Sequence, residues 1–224
     1  MPANKQLPAL DARLAAAAAL VRRGCVCADI GCDHGKLSVH LAASGLCSRV
    51  IACDASEMPL SHARAALEAF GCANAECRLG DGLSVLQPDE VDDIVIAGLS
   101  GVTLVQILAA APAFWRQRYR FIFVPASKPE ILRRWLCEHG FARLAEMPVQ
   151  AAGRVYSVLH ACYTGKKISP APLFCAVGLV KDSISREECG CAACAYLKKT
   201  AGQLRKQGEE ALAKEVEACL PVKR

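Results

Sequence analysis

The stretch CADIGCDHGKL, residues 27–37, joins an apolar run to a turn that holds two glycines, two aspartates and a histidine. A short apolar run that ends at glycine is typical of a buried strand, and the residues after Gly35 begin a helical pattern. Strand, turn and helix in this order bind a pyrophosphate when the turn reads G-x-G-x-x-G. Here Asp33 stands at the second glycine, and its carboxylate would repel a pyrophosphate. The stretch therefore predicts a nucleotide-binding type of fold with a different, cationic ligand.

The alternation of strand and helix continues through the first two-thirds of the chain. Gly140 ends the last helix, and FARLAEMPV and RVYSVLHACY then predict a β-hairpin joined by QAAGR. With right-handed crossovers, the pattern favours an α/β, doubly wound, Rossmann-like three-layer sandwich. The predicted strands are residues 26–30, 50–53, 76–79, 94–97 and 121–124, and the predicted helices are residues 11–21, 36–43, 59–70, 102–108 and 129–139.

The composition changes after Tyr163. TGKKISPAPLF, residues 164–174, is predicted to be a linker, and residues 187–220 carry Leu and Val at helical spacing. We therefore predict two domains, residues 1–163 and a basic helical domain of residues 164–224. The second holds 11 Lys and Arg against 7 Asp and Glu, whereas the first holds 16 against 15. This positive excess favours contact with nucleic acid, although a solvated helix face has the same composition.

Overall composition favours a globular, cytoplasmic protein. Hydrophobic residues make up 53% of the 224 residues, which is enough to bury a sizeable core. No segment approaches the roughly 18 consecutive apolar residues of a membrane span. The first residues, MPANKQLPALDARL, carry charges where a secretory signal would be apolar. We expect no membrane association, and no obligate protein partner is evident.

Most of the 14 cysteines lie singly inside predicted strands and helices, where a reduced cysteine acts as a small hydrophobic residue. The exception is ECGCAAC, which contains Cys189, Cys191 and Cys194. This spacing suits a soft metal or a redox pair. The neighbouring sequence offers no second C-x-x-C or His pair, so we predict no metal site.

Three aspartates follow consecutive predicted strands: Asp29, Asp54 and Asp81. The carboxyl ends of parallel strands meet at one edge of a sheet, so these side chains should lie close together. Asp29 suits an amino group, Asp54 suits ribose hydroxyls and Asp81 suits an adenine amino group. Each alone is often only a turn or cap residue. Three in order predict S-adenosylmethionine, whose ammonium and sulfonium are cationic.

The turn after the fourth strand, in DDIVIAGLSGVTL, should approach the acceptor of a transferred methyl group. Gly98, Ser100 and Gly101 predict a tight turn where backbone groups can approach a planar base. An ordinary turn between a strand and a helix would have the same residues.

The chain resembles the bacterial tRNA adenine-N1 methyltransferases of the TrmK type, which modify adenine 22 in the D arm. The resemblance covers about residues 7–163 and rests on LDARL, ADIGCDHGKL, LGDGL, DDIVIAGLSG, LRRWLCEHGF and VYSVLHA. It implies a class I methyltransferase domain followed by a small helical, coiled-coil-like domain, with S-adenosylmethionine as cofactor and tRNA as partner. The predicted cofactor site, completed by glycines of the neighbouring turns, comprises Asp29, Gly31, Asp33, His34, Asp54, Asp81, Gly82 and Gly98.

The sequence departs from the family pattern at three places expected near the acceptor. GLSG stands where the family usually has Gly-Met-Gly-Gly, FVPAS where it has Gln-Pro, and QAAGR where it has an EDGK-like hairpin. These departures concern the way a target base is held more than the cofactor.

The implied reaction places adenine N1 in line with the methyl–sulfur bond and excludes water. The methylated base is cationic, so a nearby carboxylate could stabilise it or accept a proton from its amino group, and Asp33 is the candidate. Two alternatives stay open. One is a non-catalytic cofactor- and RNA-binding module, and the other is a methyltransferase for a small molecule or a protein. The missing glycine fingerprint argues against a NAD-dependent oxidoreductase.

Overall fold

The structure is a computed structural model that describes residues 7–183 and 191–221. Its strands are β1 (Val26–Ile30), β2 (Arg49–Asp54), β3 (Ala75–Leu79), β4 (Asp93–Ala97), β5 (Arg120–Val124), β6 (Phe141–Ala151) and β7 (Arg154–Tyr163). Its α-helices are α1 (Ala12–Leu20), α2 (Lys36–Ala43), α3 (Glu57–Ala69), α4 (Gly101–Ala109), α5 (Pro129–Glu138), α6 (Pro172–Val177), α7 (Ala192–Lys206) and α8 (Glu210–Ala218). None of the helices described has the length and apolar run needed to cross a membrane.

The strands form one sheet in the order β3-β2-β1-β4-β5-β7-β6. The first five are parallel, and β7 pairs antiparallel with both β5 and β6. The predicted α/β sandwich is therefore confirmed. The chain moves outward from β1 to β3 and then returns to β4 on the other side of β1. This reversal opens a crevice beyond the carboxyl ends of β1 and β4, the usual ligand site of such sheets.

Helices cover both faces of the sheet because its central strands are apolar on both sides. On one face, the buried side chains of α1, α2 and α3 pack with Val50 and Ala52 of β2. On the other, those of α4 and α5 pack with Ile51 and Cys53 of the same strand. Successive residues of a strand point to opposite faces, so this alternation fixes the three-layer arrangement.

The predicted linker is wrong at its end, because α6 begins inside it. Pro172 occupies the first turn of α6, where a missing N–H costs nothing, and the apolar Cys175, Ala176 and Val177 are buried. Composition marked this segment as a linker because of its Pro and Lys content. The apolar residues at its end form a short helix instead.

Arg133 of α5 connects the sheet to the C-terminal helices. Its guanidinium is fully buried and donates to Glu146 of β6, with Nε and Nη2 at 2.9 and 2.7 Å from Oε1. It also donates to the carbonyls of Cys175 and Ala176 in α6, at 2.9 and 2.8 Å, and to the hydroxyl of Tyr196 in α7, at 2.7 Å. The segment after residue 163, called the tail from here on, is thus bound to the sandwich through buried polar contacts. The boundary at residue 163 stays a prediction.

Candidate functional site

A cavity of about 490 Å³ lies at the carboxyl edge of the sheet, at the reversal between β1 and β4. Ligand pockets commonly have this size and position. The eight residues predicted from the sequence all line it, although their individual roles stay predictions: Asp29, Gly31, Asp33, His34, Asp54, Asp81, Gly82 and Gly98.

The loop after β1 is held against the end of β2 by backbone hydrogen bonds. The amides of Gly31 and Cys32 donate to the carbonyl of Cys53, at 2.8 and 2.9 Å. The amide of Asp33 donates to Oδ2 of Asp54, at 3.1 Å. Asp54 therefore orients the loop as well as contributing a carboxylate to the cavity.

Two glycines near the cavity are required by geometry. A Cβ on Gly35 would lie 2.9 Å from Ala63 of α3, so any side chain would push the loop away from that helix. Gly98, at the end of β4, has a φ of 84° and lines the cavity, and a Cβ there would meet nothing within 4 Å. A side chain at Gly98 would be strained and would enter space available to a ligand.

Asp29 lies at the floor of the cavity with only 2% of its surface exposed. Burial raises the pKa of its carboxyl to about 6, although a hydrogen bond from the Ser38 hydroxyl, at 2.6 Å, partly opposes the rise. The nearby Asp54 carboxylate adds to the increase. A cationic ligand group beside Asp29 would stabilise the ionised form.

Asp54 and Asp81 differ in how far the protein already uses them. Each oxygen of Asp54 accepts one amide, with Oδ1 taking the N–H of Ser56 at 3.0 Å and Oδ2 that of Asp33. Asp81 precedes the short 3-10 helix Gly82–Val85, but its side chain makes no capping hydrogen bond there. The cap role that is common for such an aspartate is therefore absent, and its carboxylate lines the cavity.

Asp33 and His34 lie at the solvent side of the cavity. Their side chains are 71% and 57% exposed, and the Asp33 carboxylate is 3.6 Å from Nε2 of His34. The His34 ring stacks on His62 of α3, with the ring centres 4.9 Å apart. These two side chains are placed to meet a group that enters from solvent, in contrast to the buried Asp29.

Arg13 of α1 is a cavity residue that the sequence did not reveal. Its guanidinium is held by Asp11, with Nη2 2.6 Å from Oδ2, and lies over the ring of Tyr156 in β7, 4.8 Å from the ring centre. LDARL carried the family resemblance, but a single arginine at the start of a helix gives no local signal of a pocket. Leu99 and Thr103 after β4 also line the cavity and were not predicted to do so.

The loops after β4 and β5, where the sequence departs from the family, are bound to each other. Ser100 forms a parallel bridge with Ser127, and the amide of Ala126 donates to the carbonyl of Leu99 at 2.8 Å. Ser100 also caps α4, since its Oγ accepts the amide of Thr103 at 3.1 Å. The hairpin turn at residues 150–154, which the structure describes, is not among the residues that line the cavity. Only two of the three departures therefore lie at this site.

The side chains that commonly bind metal ions are not clustered in the described residues. In residues 7–183 and 191–221, no group of three or more His, Cys, Asp or Glu side chains is arranged to hold a metal ion. Part of the cysteine-rich segment, including Cys189, lies outside the described residues.

Comparison with known families gives one domain match. The model of the methyltransferase domain family matches residues 10–159, which include every residue of the predicted cofactor site. The chain is also similar to the tRNA (adenine(22)-N(1))-methyltransferase of Bacillus subtilis, with 32% identity over 68% of this chain. The aligned region spans 64% of the length of that curated relative.

Solved structures show the same similarity over nearly the whole chain. The B. subtilis M1A22 tRNA methyltransferase TrmK superposes with a TM-score of 0.77 at 26% identity, covering 96% of this chain and 98% of that one. Sp1610 of Streptococcus pneumoniae, solved in complex with S-adenosyl-L-methionine, gives a TM-score of 0.79 at 26% identity, with coverage of 92% and 96%.

Proposed function

This chain belongs to the methyltransferase domain family, and we propose that it transfers a methyl group from S-adenosylmethionine to N1 of adenine 22 in tRNA. The observation that carries the proposal is the cavity at the switch point, which gathers four aspartates from the ends of β1 and β2 and from the loops after β1 and β3. The similarity to a tRNA (adenine(22)-N(1))-methyltransferase supports the choice of substrate.

The residues of the cavity fit S-adenosylmethionine by charge and by shape. Asp29 is suited to the ammonium of the methionine part, Asp54 to the ribose hydroxyls and Asp81 to the adenine amino group. Gly98 leaves free the space that a side chain would fill. When bound, the cofactor supplies the electrophilic methyl group.

The remaining residues of the wall would orient the target base. Leu99 and Val124 give the acceptor side an apolar surface that excludes water, which strengthens electrostatic interactions within the site. Asp33, exposed at the mouth, is the residue we assign to the cationic product base, by charge stabilisation or by accepting a proton from the amino group. A base stacked in folded tRNA has to be extruded before it reaches this wall.

We assign tRNA binding to a positively charged surface that extends from the cavity wall to α7. The Tyr156 ring contacts Arg13 of the wall and also Lys199 of α7, whose Nζ is 5.8 Å from the ring centre. Lys198 and Lys206 are exposed on the same helix. Arg205, a fourth candidate from the sequence, instead pairs with Glu217 on α8, with nitrogen–oxygen distances of 2.6 and 2.5 Å. Nζ of Lys199 already donates to the carbonyl of Val155 at 2.9 Å, so phosphate contacts on α7 should come mainly from Lys198 and Lys206.

The test is methyl transfer from labelled S-adenosylmethionine to an unmodified tRNA, with the same tRNA carrying guanine at position 22 as control. The proposal expects label in the first tRNA and none in the second. Binding of both cofactor and tRNA without transfer would identify a non-catalytic module. Cofactor binding without tRNA binding would favour a small-molecule or protein acceptor. A tRNA substrate also supports the predicted cytoplasmic location.

A further inference from the structure

Two cysteines lie side by side at the start of α7, away from the cavity. Cys191 is the N-cap of the helix and Cys194 lies in its first turn, with the two sulfur atoms 3.4 Å apart. The amide of Cys194 donates to Sγ of Cys191, also at 3.4 Å. Cys191 is partly exposed, whereas Cys194 is only 1% exposed. The proposed methyl transfer uses neither thiol.

We propose that Cys191 and Cys194 form a redox-active dithiol that exchanges with low-molecular-weight disulfides, with Cys191 as the attacking thiol. A C-x-x-C pair at a helix N-terminus has this reactivity because backbone N–H groups stabilise the thiolate of the first cysteine. Here the first cysteine, Cys191, is the accessible one. Cys194 is close enough to displace the thiol that has formed a mixed disulfide with Cys191.

The environment of Cys191 agrees with this assignment. Its partial burial acts to raise the pKa of the thiol, but hydrogen bonds from the Cys194 amide and side chain and from the Ala193 amide outweigh that effect and lower the pKa. The core pair Cys25 and Cys47 provides a contrast, with sulfurs 3.9 Å apart and both residues buried. A hydrogen bond with Cys47, together with burial, raises the pKa of Cys25. Proximity of two thiols alone therefore does not make a reactive pair.

The exchange can be written with glutathione disulfide as the oxidant. The Cys191 thiolate attacks one sulfur of glutathione disulfide, the disulfide bond breaks, and one glutathione leaves as thiolate. The thiolate of Cys194, having lost its proton to solvent, then attacks Sγ of Cys191 and releases the second glutathione. A Cys191–Cys194 disulfide has formed, one glutathione disulfide has become two glutathiones, and the cysteine protons end on the released thiolates.

The experiment treats the reduced full-length protein with glutathione disulfide at neutral pH and maps the products by peptide mass spectrometry. The Cys189→Ser variant is the matched background, because it leaves Cys191 and Cys194 as the cysteines between Arg186 and Lys198. In that background we expect an internal disulfide. Adding Cys194→Ser should trap a stable mixed disulfide at Cys191, and adding Cys191→Ser should abolish glutathione addition at this segment.

A second measurement on the wild-type protein does not depend on the folding of any variant. At neutral pH, Cys191 should react with iodoacetamide roughly 10-fold or more faster than Cys219, because the N–H groups at the start of α7 stabilise the Cys191 thiolate. Equal rates would overturn the proposal. The absence of the internal disulfide in the Cys189→Ser protein would also overturn it. So would a disulfide in the wild-type protein that joins Cys189, rather than Cys191 and Cys194 to each other.

Discussion

Four aspartates of the cavity have the same carboxylate side chain but lie in different environments. Asp29 is buried, Asp33 is exposed at the mouth, Asp54 binds two loop amides, and the Asp81 side chain makes no helix-capping bond. Each environment suits a different part of the proposed cofactor and substrate. Substitutions at these positions should therefore differ in the step that they affect.

Asp54→Ala should weaken S-adenosylmethionine binding by about 1.5–3 kcal/mol, the scale of hydrogen bonds to a charged group. The loss has two sources. The variant would lack the ribose contacts, and it would lack the carboxylate that orients the amides of Asp33 and Ser56. Titration calorimetry measures it, with Asp182→Ala as control because that exposed carboxylate pairs with Lys181 outside the cavity. Unchanged affinity in a folded Asp54→Ala protein would remove Asp54 from the site.

Cofactor affinity should depend on pH through Asp29, whose carboxyl pKa is about 6 in the free protein. A ligand ammonium binds the ionised form better, so affinity should be full above pH 6 and fall by up to about 10-fold for each pH unit below it. Asp29→Asn should bind weakly at pH 8 and lose this dependence. A wild-type affinity that is flat between pH 5 and 8 would contradict the assignment.

The raised pKa also means that the ionised carboxylate of Asp29 destabilises the folded protein when no cofactor is bound. Its folded pKa lies above the ordinary value of 3.8, so this group's stabilising contribution is fully present below that value and is lost as pH rises through about 6. Asp29→Asn should therefore unfold at higher urea concentration than wild type at pH 8, even though it binds cofactor less well.

Asp33→Asn should lower the single-turnover rate by roughly 100-fold or more, within the range of a positioned acid or base, and leave tRNA affinity nearly unchanged. Asparagine tolerates the φ of 51° at this position, so the loop should keep its shape. Rapid-quench kinetics and filter binding measure the two quantities. A wild-type single-turnover rate would end the catalytic assignment of Asp33.

At the scale of elements, two buried arginines share one glutamate where α5, β6 and the tail meet. Glu146 accepts from Arg133 and lies 3.9 Å from the guanidinium of Arg143. Burial lowers the pKa of Arg143, and its guanidinium lies over the ring of Phe174 at 3.6 Å. In the described part of the chain its Nη atoms have no hydrogen-bond partner. Within residues 7–183 and 191–221, Glu146 is thus the carboxylate that both guanidinium groups face at this junction.

Glu146→Gln should destabilise the protein by about 3–5 kcal/mol, the usual cost of leaving a buried charge without its partner. Glu138→Gln, at an exposed position of α5, should change stability by less than about 0.5 kcal/mol. Urea unfolding of both variants gives the comparison. A decrease below about 1 kcal/mol in the first would show that the junction does not need this charge.

The sequence predicted the sheet and the cavity because both follow local rules. Apolar runs marked the five parallel strands, and Asp29, Asp54 and Asp81 meet because parallel strands place their carboxyl ends at one edge. Arg13 could not be predicted, because its place in the wall depends on Tyr156 far along the chain. The same holds for Arg133, whose partners lie in β6, α6 and α7.

At the scale of the whole molecule, the tail is both structural and basic, so deletion cannot isolate its role in binding. Removing residues after 163 would take away the carbonyls and the Tyr196 hydroxyl that satisfy the buried Arg133. Charge reversal at exposed positions leaves these hydrogen bonds in place. Lys198 and Lys206 are exposed on α7 and suit this test, whereas Nζ of Lys199 donates to the carbonyl of Val155 at 2.9 Å and is left unchanged.

The double variant Lys198→Glu and Lys206→Glu should weaken tRNA binding, and the decrease should be greatest at low salt. The slope of log affinity against log salt should become shallower by about one unit for each phosphate that the protein no longer neutralises. Cofactor affinity should stay the same. Arg23→Glu, an exposed reversal before β1 at the opposite edge of the sheet, should have little effect. Unchanged tRNA affinity and salt slope in the folded double variant would show that the lysines of α7 form only a solvated helix face.

The most direct test of the proposed activity is to map the methylated position after the protein acts on unmodified tRNA with S-adenosylmethionine. Methylation at N1 blocks the pairing edge of adenine, so reverse transcription should stop at adenine 22, and nucleoside mass spectrometry should identify 1-methyladenosine. We predict both results with the wild-type protein and a much weaker signal of each with Asp54→Ala at limiting cofactor. A stop at another position, or bound cofactor and tRNA with no methylated nucleoside, would contradict the proposed activity.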